Sequence, residues 1–333
     1  MEIKSYTIGD LKATLASNDF WRADPLPITR HRAAAHLHNP RADANDVVLL
    51  VCHEGRRTVG YLSILPDRIF LSDTSYKLGW LTGWWVDPRR ASGGVGTALL
   101  FRGLNAYNQQ IGVSGSSKAA GKVLRASRRF VDIDPLKGLD IELGNRIGFE
   151  GDDELISHLG FEYVSLIDGE TESFIHRHHR RDLCRKEKAD LDWIMTYPWV
   201  LSAPLKDITG KRYYFSSVAN RFYYLAVKVF AEGTGLIGFF MLKVRDRMTS
   251  VVFSYFEDAA VDALLAAVVH HARALDADVL GLHEARMAAR FREAGEAGSA
   301  KPVSRGFLLA KPFADKGCSD GRLQGGDGDL AFY

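Results

Sequence analysis

The feature that most constrains the fold is a glycine-rich loop between a predicted strand and a predicted helix. The strand, Lys77 to Val86, stops at Asp87-Pro88 because proline cannot continue a hydrogen-bond ladder. Glycines at positions 93, 94 and 96 follow, and an amphipathic helix is predicted from Thr97 to Gln109. Backbone amides at such a helix start have no intrahelical acceptor and lie at the positive end of the helix dipole. The segment therefore predicts an α/β fold with a site for an anion such as pyrophosphate.

The flanking segments predict a sheet on both sides of this loop. Asp46 to His53 and Thr58 to Leu65 are apolar and β-branched, with a turn between them, so three strands are predicted before the glycines. A short strand at Ile111 to Ser114 and a helix at Lys118 to Arg129 are predicted after the loop helix.

A similar order of elements returns in the second half of the chain. The predicted elements are strands at Arg221 to Phe230, Leu236 to Val244 and Thr249 to Phe256, a helix at Asp258 to Leu275, and strands at Asp278 to Leu282 and Val303 to Ala310. Residues 132 to 153 contain several glycines and paired acids, which predicts irregular structure and a domain boundary near Gly151. We expect domains at 1–150 and 151–333, with Gly317 to Asp329 as an exposed tail or a late-ordering loop.

Composition excludes several classes of protein. The 333 residues are 46% hydrophobic and 25% charged, which is typical of a folded globular chain. A formal charge of +2 disfavours a nucleic-acid-binding surface. Three cysteines far apart predict free thiols in a reducing cytoplasm, with no zinc cluster and no other metal site. The N-terminus resembles no secretory signal, and no apolar run is long enough to cross a membrane, so a cytoplasmic protein without membrane or nucleic-acid partners is expected.

The loop resembles the signature of the GCN5-related N-acetyltransferase (GNAT) superfamily. Val86-x-Pro88 and Gly94-x-Gly96 match its strand end and its glycines, whereas Ala91 stands where Gln or Arg is customary. Arg89 and Arg90, just upstream, could supply the missing charge. The resemblance covers roughly Val47 to Phe130 and implies two tandem GNAT-like α/β domains, each with a mixed central sheet flanked by helices.

The resemblance also implies the cofactor and its site. In that family the loop amides hold the pyrophosphate of acetyl-CoA, and the pantetheine pairs with the preceding strand. Carried over residue by residue, the acetyl-CoA site comprises Trp84, Trp85, Val86, Arg89, Arg90, Ala91, Ser92, Gly93, Gly94, Val95, Gly96 and Thr97. The alternative is a structural glycine turn, or a loop that binds another phosphorylated ligand.

The proton carriers of the reaction are not identified by the sequence. The acid on the central strand and the tyrosine on the later helix, which the family commonly uses, are both missing here. The candidates are Asp67, Asp73 and Tyr76, although acids in a strand connection more often solvate a turn. Trp21, Arg30 and His31 precede the sheet, where the superfamily builds its acceptor wall, and are candidates for substrate binding. The basic run from His176 to Arg181 is interpreted as a solvated helix face.

The second copy lacks the decisive loop. Glu257 and Asp258 join its strand to its helix without a glycine, and two carboxylates there would repel a pyrophosphate. We therefore expect the first copy to bind CoA and the second, degenerate copy to bind none. The predicted activity is direct transfer of an acetyl group from acetyl-CoA to a primary amine of a small metabolite, an amino sugar or an amino acid. The alternatives are a non-catalytic acyl-CoA-binding or sensor protein and an aminoacyl-tRNA-dependent transferase of the same tandem fold.

Overall fold

The computed structural model describes residues 1–17, 19–71, 74–144, 152–206, 208–294, 300–314, 316, 318 and 321–333. The strands in this part of the chain are β1 (Glu2–Thr7), β2 (Val47–Glu54), β3 (Arg57–Leu71), β4 (Thr74–Val86), β5 (Ile111–Val113), β6 (Phe130–Glu142), β7 (Leu159–Val164), β8 (Val200–Ser202), β9 (Ser217–Ala219), β10 (Phe222–Ala231), β11 (Gly235–Arg245), β12 (Met248–Phe256), β13 (Val279–Leu282) and β14 (Ala300–Ala310).

The α-helices of the described residues lie between these strands. They are α1 (Ile8–Ala16), α2 (Arg30–Leu37), α3 (Val95–Ala106), α4 (Lys118–Ala126), α5 (Asp152–Ser157), α6 (Gly169–His178), α7 (Lys188–Thr196), α8 (Ile208–Lys211), α9 (Val261–Ala274), α10 (Ala285–Glu293) and α11 (Lys311–Ala314). None of them is long and apolar enough to cross a bilayer.

One mixed sheet of twelve described strands runs through the molecule. Its order is β1-β2-β3-β4-β5-β14-β6-β13-β12-β11-β10-β7, and β8 and β9 form a separate parallel pair. The mixed α/β class predicted from the sequence is confirmed. Two local predictions are wrong: β1 makes four strands before the glycines where three were predicted, and residues 130–142 form strand β6 instead of irregular structure. Strand β6 contains no continuous apolar run, so its sequence gives only a weak strand pattern.

The two halves repeat one unusual piece of geometry. In the first half, β4 pairs in parallel with β5 only from Gly79 to Leu81, after which the two strands separate. In the second half, β12 pairs in parallel with β13 only from Met248 to Ser250. Each central strand also has a bulge opposite its antiparallel neighbour, just beyond the separation point. The faint sequence repeat therefore corresponds to a real structural repeat with two wedges in the sheet.

The halves also exchange strands at the centre of the sheet. Strand β14 of the second half lies against β5 of the first half, and β6 of the first half lies against β13 of the second half. Strands β6 and β14 pair with each other over most of their length. The predicted boundary near Gly151 falls in residues 145–151, which lie outside the described residues, and the elements on either side of it share one sheet.

Helices cover both faces of the sheet. Helices α3 and α4 pack on one face of the first half, and α1 and α2 pack on the other. Helices α9 and α10 cover the corresponding face of the second half, and α6 and α7 share a core with the end of the chain. The expected exposed tail is a misprediction, because residues 324–329 are buried between the halves and Ala331 and Phe332 belong to the core. Its glycines allow that burial, since a Cβ on Gly326 would lie 2.6 Å from the ring of Phe253.

Candidate active site

The glycine loop presents free backbone amides at the start of α3. Gly94 is the residue that precedes the helix, and its φ of 90° requires the left-handed region that glycine adopts without strain. The first hydrogen bond of the helix runs from the amide of Ala98 to the carbonyl of Gly94. The amides of Gly94, Val95, Gly96 and Thr97 donate to none of the described residues. Four donors thus converge at the positive end of a helix, which is the arrangement that binds phosphate.

The upstream part of the loop is ordered by carboxylates. The amide of Ser92 donates to Glu54 Oε1 at 3.1 Å, and the serine hydroxyl donates to the same oxygen. The amide of Arg89 donates to Asp87 Oδ1 at 2.9 Å. These contacts leave the helix-start amides untouched, but they place the exposed charge of Glu54 beside the loop. The side chains of Arg89 and Arg90 are exposed and carry the opposite charge.

The edge of β4 beyond its separation from β5 has no strand partner. Thr82 is the bulged residue of β4, and Thr82 to Val86 face the wedge with their main-chain groups on the β5 side unpaired among the described strands. Thr82 Oγ1 and Trp84 Nε1 are buried and make no hydrogen bond with any residue that the structure describes. Trp84 packs under α3, whereas Trp85 stacks on Tyr61 at 5.3 Å on the opposite face. The wedge therefore offers an extended polar edge that leads to the amide cluster, as an acyl-pantetheine chain requires.

Aromatic and polar side chains gather on the face of the sheet opposite α3. A Cβ on Gly83 would lie 3.0 Å from the Tyr213 hydroxyl and 3.6 Å from Ser63 Oγ. Both hydroxyls are buried, and neither makes a hydrogen bond of acceptable geometry within the described chain. Burial raises the pKa of Tyr213, so its hydroxyl holds its proton at neutral pH. The loop before β9 thus brings a second-half hydroxyl to the first-half wedge.

A buried carboxylate lies at the base of the same wedge. Ser114, which follows β5, donates from Oγ to Asp329 Oδ1 at 2.5 Å. Asp329 is only 2% exposed, and burial raises its pKa even though the Ser114 hydrogen bond favours the charged form. Gly328 makes this approach possible, since its φ is 69° and a Cβ there would lie 2.6 Å from Ser114 Cβ. A carboxylate with a raised pKa binds a proton more readily than an exposed one, which suits a proton-transfer role at the wedge.

The three sequence candidates for catalysis are not brought to the wedge. Asp67 is buried and uses both oxygens: Oδ1 accepts the amide of Arg68, and Oδ2 accepts Trp80 Nε1 and Lys186 Nζ, each at 3.1 Å. We assign it a structural role in an ion pair. Tyr76 lies five residues before Leu81 on β4, about 16 Å from the separation point, and packs under the ammonium of Lys316. Asp73 lies outside the described residues.

The three candidates for acceptor binding form part of the wall around this face. Trp21 is a core residue whose indole donates to the carbonyl of Thr14 at 3.1 Å. The guanidinium of Arg30 covers the Trp21 ring at 4.5 Å, and His31 Nε2 lies 3.0 Å from the carbonyl of Trp199. Trp21 and Arg30 therefore pack on each other. The side chain that points toward Tyr213 is the next arginine along α2, Arg32.

Sequence reasoning missed Arg32, Ser114, Tyr213 and Asp329. Arg32 follows directly after Arg30 and His31, which the sequence analysis selected. A helical period through Arg30 to His36 could therefore have placed Arg32 on the buried face of this helix. Tyr213 and Asp329 carry no local signal, because each lies in a loop more than 80 residues along the chain from the first-half glycine motif.

The corresponding wedge of the second half is closed by the chain itself. The amide of Gly326 donates to the carbonyl of Val252 at 2.8 Å, and the amide of Ser254 donates to Gln324 Oε1 at 2.8 Å. Residues 324–326 thus occupy the edge of β12 that matches the free edge of β4. Glu257 and Asp258 precede α9, and Asp258 pairs with Arg286 at 2.6 Å.

A cavity of about 570 Å³ remains beside this segment. Its lining includes residues of β6, Val252, Gln324 and His283. The two ring nitrogens of His283 are buried and have no hydrogen-bond partner among the described residues. Burial lowers the pKa of His283 to about 3, so its ring is neutral. Among the residues that the structure describes, no group of three or more His, Cys, Asp or Glu side chains could hold a metal ion.

The basic run from His176 to Arg181 packs partly on its own helix, and the three cysteines are buried. His178 Nδ1 lies 2.8 Å from the carbonyl of Phe174 and its ring stacks on that phenylalanine, so this part of the run packs on its own helix. Cys52, Cys184 and Cys318 are free and buried.

The sheet order, the bulged central strand and the glycine loop define the GNAT fold, and comparison with solved structures gives the same result. A probable N-acyltransferase from Enterococcus faecalis V583 is similar over 93% of this chain and 72% of its own, with 10% identity and a TM-score of 0.56. A GCN5-related N-acetyltransferase from Anabaena variabilis ATCC 29413 is similar over 92% and 72%, with 11% identity and a TM-score of 0.52.

A third similar structure is the GCN5-related glucosamine N-acetyltransferase region of a fungal multi-domain β-N-acetylglucosaminidase. It matches 92% of this chain and 38% of its own, with 12% identity and a TM-score of 0.54. No protein-family model matches the sequence, and no curated protein is significantly similar to it. At these identities the similarity establishes the fold of the chain.

Proposed function

We propose that the protein is an N-acyltransferase that moves an acetyl group from acetyl-CoA to a primary amine of a small metabolite by direct transfer. The observation that carries the proposal is the cluster of four unpartnered amides from Gly94 to Thr97 beside the unpaired edge of β4. The amides suit the pyrophosphate, and the edge suits the amide groups of pantetheine, which would continue the sheet by hydrogen bonding.

Two side chains are suitable proton carriers at this position. In the transfer, the amine nitrogen bonds to the thioester carbonyl carbon, the carbon–sulfur bond breaks, and the amine loses a proton while the thiolate gains one. Asp329, at the base of the wedge, is the candidate acceptor of the amine proton. Tyr213, over Gly83, is the candidate donor to the thiolate. Both assignments replace the candidates that the sequence offered.

We propose that only the first copy binds CoA. The second wedge already contains residues 324–326, and the start of α9 carries Glu257 and Asp258 where the first copy has glycines. Isothermal titration with CoA should therefore give one site per chain. A stoichiometry of two would contradict this part of the proposal.

The glycine loop provides the direct test of donor binding. A carboxylate in Gly94→Glu or Gly96→Glu would occupy the phosphate position and repel its charge, so CoA affinity should fall by at least about 100-fold. Gly96→Glu is the cleaner variant, because a Cβ there meets only ordinary contacts at 3.5 Å, whereas Gly94→Glu adds about 1–2 kcal/mol of backbone strain.

The matched control is Gly169→Glu, at an exposed glycine with open space around it at the start of α6. It should bind CoA as the wild type does. Unchanged affinity in Gly96→Glu would refute the phosphate site. Product formation from labelled acetyl-CoA with a panel of amines then tests catalysis, and tight binding without any product would favour a sensor.

A further inference from the structure

Arg32 is a buried guanidinium that forms no ion pair with a described residue. It is 3% exposed, and its Nε and Nη2 atoms are buried and make no hydrogen bond with a described residue. No carboxylate of the described chain lies within 4 Å of it. The other buried Lys and Arg side chains of the described chain are paired: Lys186 with Asp67 and Asp327, and Lys228 with Glu162, Asp168 and Glu170. Leaving a charge buried and unpaired is costly, which indicates that Arg32 meets an anion in the working state.

The packing of Arg32 fixes how such an anion would approach. Its guanidinium carbon lies 3.9 Å from the Trp199 ring centroid and 5.1 Å from the Tyr213 ring centroid. These contacts orient the plane of the group and leave its Nε and Nη2 edge as the hydrogen-bonding side. Those two nitrogens form the parallel pair of donors that binds a carboxylate through both oxygens.

The remaining charges around Arg32 are few. His36, one turn along α2, is kept neutral because burial and the arginine charge lower its pKa to about 3. Asp329 and Tyr333 act on Arg32 only through space, and Asp329 is hydrogen-bonded to Ser114 instead. Arg32 therefore interacts electrostatically with Asp329 but forms no ion pair with it.

The Arg32 guanidinium lies close to the proposed site of acyl transfer. The Tyr213 ring packs against Arg32, and its hydroxyl lies over Gly83 on the unpaired part of β4. One tyrosine side chain thus separates the guanidinium from the position where the thioester would lie. An acceptor with an amine at the wedge and an anionic group a few bonds away would reach both.

We propose that the acceptor is a carboxylate-bearing primary amine, and that Arg32 binds its carboxylate. This inference rests on the proposed acyl transfer and narrows its substrate from amino sugars or amino acids to the amino-acid class. The Nε and Nη2 edge presents two parallel donors, and the guanidinium packs against two aromatic rings, an arrangement that suits a planar carboxylate.

Matched pairs of amines test the inference. The probes are glycine with glycinamide, β-alanine with its amide, and L-phenylalanine with its amide, together with glucosamine and aminoethyl phosphate. We expect the wild type to prefer at least one carboxylate over its amide by ten-fold or more in kcat/KM with acetyl-CoA. Arg32→Gln should reduce that preference to about one, chiefly through KM, and Arg32→Lys should retain part of it.

Two further measurements distinguish a failure of the carboxylate site from a failure of the proposed acyl transfer. CoA affinity measured by titration should be the same in wild type, Arg32→Gln and the control Arg292→Gln, an exposed arginine on α10. The rise in melting temperature caused by each carboxylate, measured without acetyl-CoA, should occur in the wild type and disappear in Arg32→Gln. This readout needs no catalysis, and if Arg32→Gln does not fold, Arg32→Lys should show a smaller rise in melting temperature than the wild type.

The results divide as follows. Carboxylate-dependent stabilisation that requires Arg32, without acetylation of any amine, would support the carboxylate site and refute the proposed transfer. Equal or better acetylation of the amides, of glucosamine or of aminoethyl phosphate would overturn the inference and leave the transfer standing. Absence of both acetylation and carboxylate-dependent stabilisation would also overturn it.

Discussion

At the scale of single residues, the donor site combines attraction with one opposing charge. Four amides and the exposed Arg89 and Arg90 favour a polyanion, whereas Glu54 is held beside the loop by Ser92. Hydrogen bonds from Ser92 lower the pKa of Glu54, so its carboxylate is charged at neutral pH. Glu54 therefore orders the loop and at the same time opposes pyrophosphate.

The variant Glu54→Gln separates these two effects. A glutamine oxygen can still accept from the Ser92 amide, but the negative charge is gone. We expect CoA to bind roughly two- to five-fold more tightly at low salt, with the gain shrinking as ionic strength rises. Titrations at two salt concentrations measure this. Weaker binding that does not depend on salt would show that the ordering effect of the carboxylate dominates.

At the scale of elements, α2 is a short helix that buries polar side chains against the sheet. Arg32 and His36, one turn apart, are both buried and both contact the ring of Trp199. His36 is fully buried, and neither ring nitrogen has a hydrogen-bond partner in the described chain. Burial, with a smaller effect of Arg32, lowers the pKa of His36 to about 3 from the ordinary value of 6.5.

This shift predicts how stability depends on pH. Between pH 6.5 and about 3 the unfolded chain takes up a proton at His36 that the folded chain refuses, so the free energy of unfolding falls as the pH falls. Replacing the ring by His36→Leu should reduce the loss between pH 7.5 and pH 5 by about 2 kcal/mol in urea titrations. The exposed His158→Gln variant should lose as much as the wild type, and an equal loss in His36→Leu would argue against a neutral buried ring.

At the scale of the whole molecule, the tandem copies are interlocked. Each contributes a strand to the other's part of the sheet, and residues 324–329 fill the second wedge and reach Ser114 at the first. The buried Lys186 adds a link, since its ammonium lies 3.1 Å from Asp67 of β3 and 3.5 Å from Asp327 of that same segment. The two halves also share a core cluster, which contains Leu65 and Trp80 of the first half and Phe253 and Phe332 of the second.

Interlocking predicts a single cooperative unfolding transition. Leu99→Ala in the core under α3 and Leu264→Ala in the core under α9 each create a cavity at a fully buried position, at a cost of about 2–5 kcal/mol. Scanning calorimetry should show both variants shifting the same endotherm to lower temperature. Two resolved endotherms, with each variant moving only one, would mean that the halves unfold independently.

The sequence by itself determined the local elements and the anion loop. Hydrophobic periodicity predicted the strands and helices from Val47 to Ala126 and the repeat from Phe222 to Ala310, because period and turn residues act over a few neighbours. The glycines and Pro88 predicted where a strand yields to a helix with free amides. These features also carried the resemblance to the GNAT fold, which the structure confirms.

The tertiary structure decided which chemical groups meet. Arg32, Tyr213 and Asp329 come from three distant parts of the chain, and nothing in their neighbours marks them as partners. The exchange of β6 and β14, and the burial of a glycine-rich segment that looks like a tail, follow from pairing across long sequence separations. Strand register and close glycine packing are properties of the assembled sheet, so no local pattern in a single sequence predicts them.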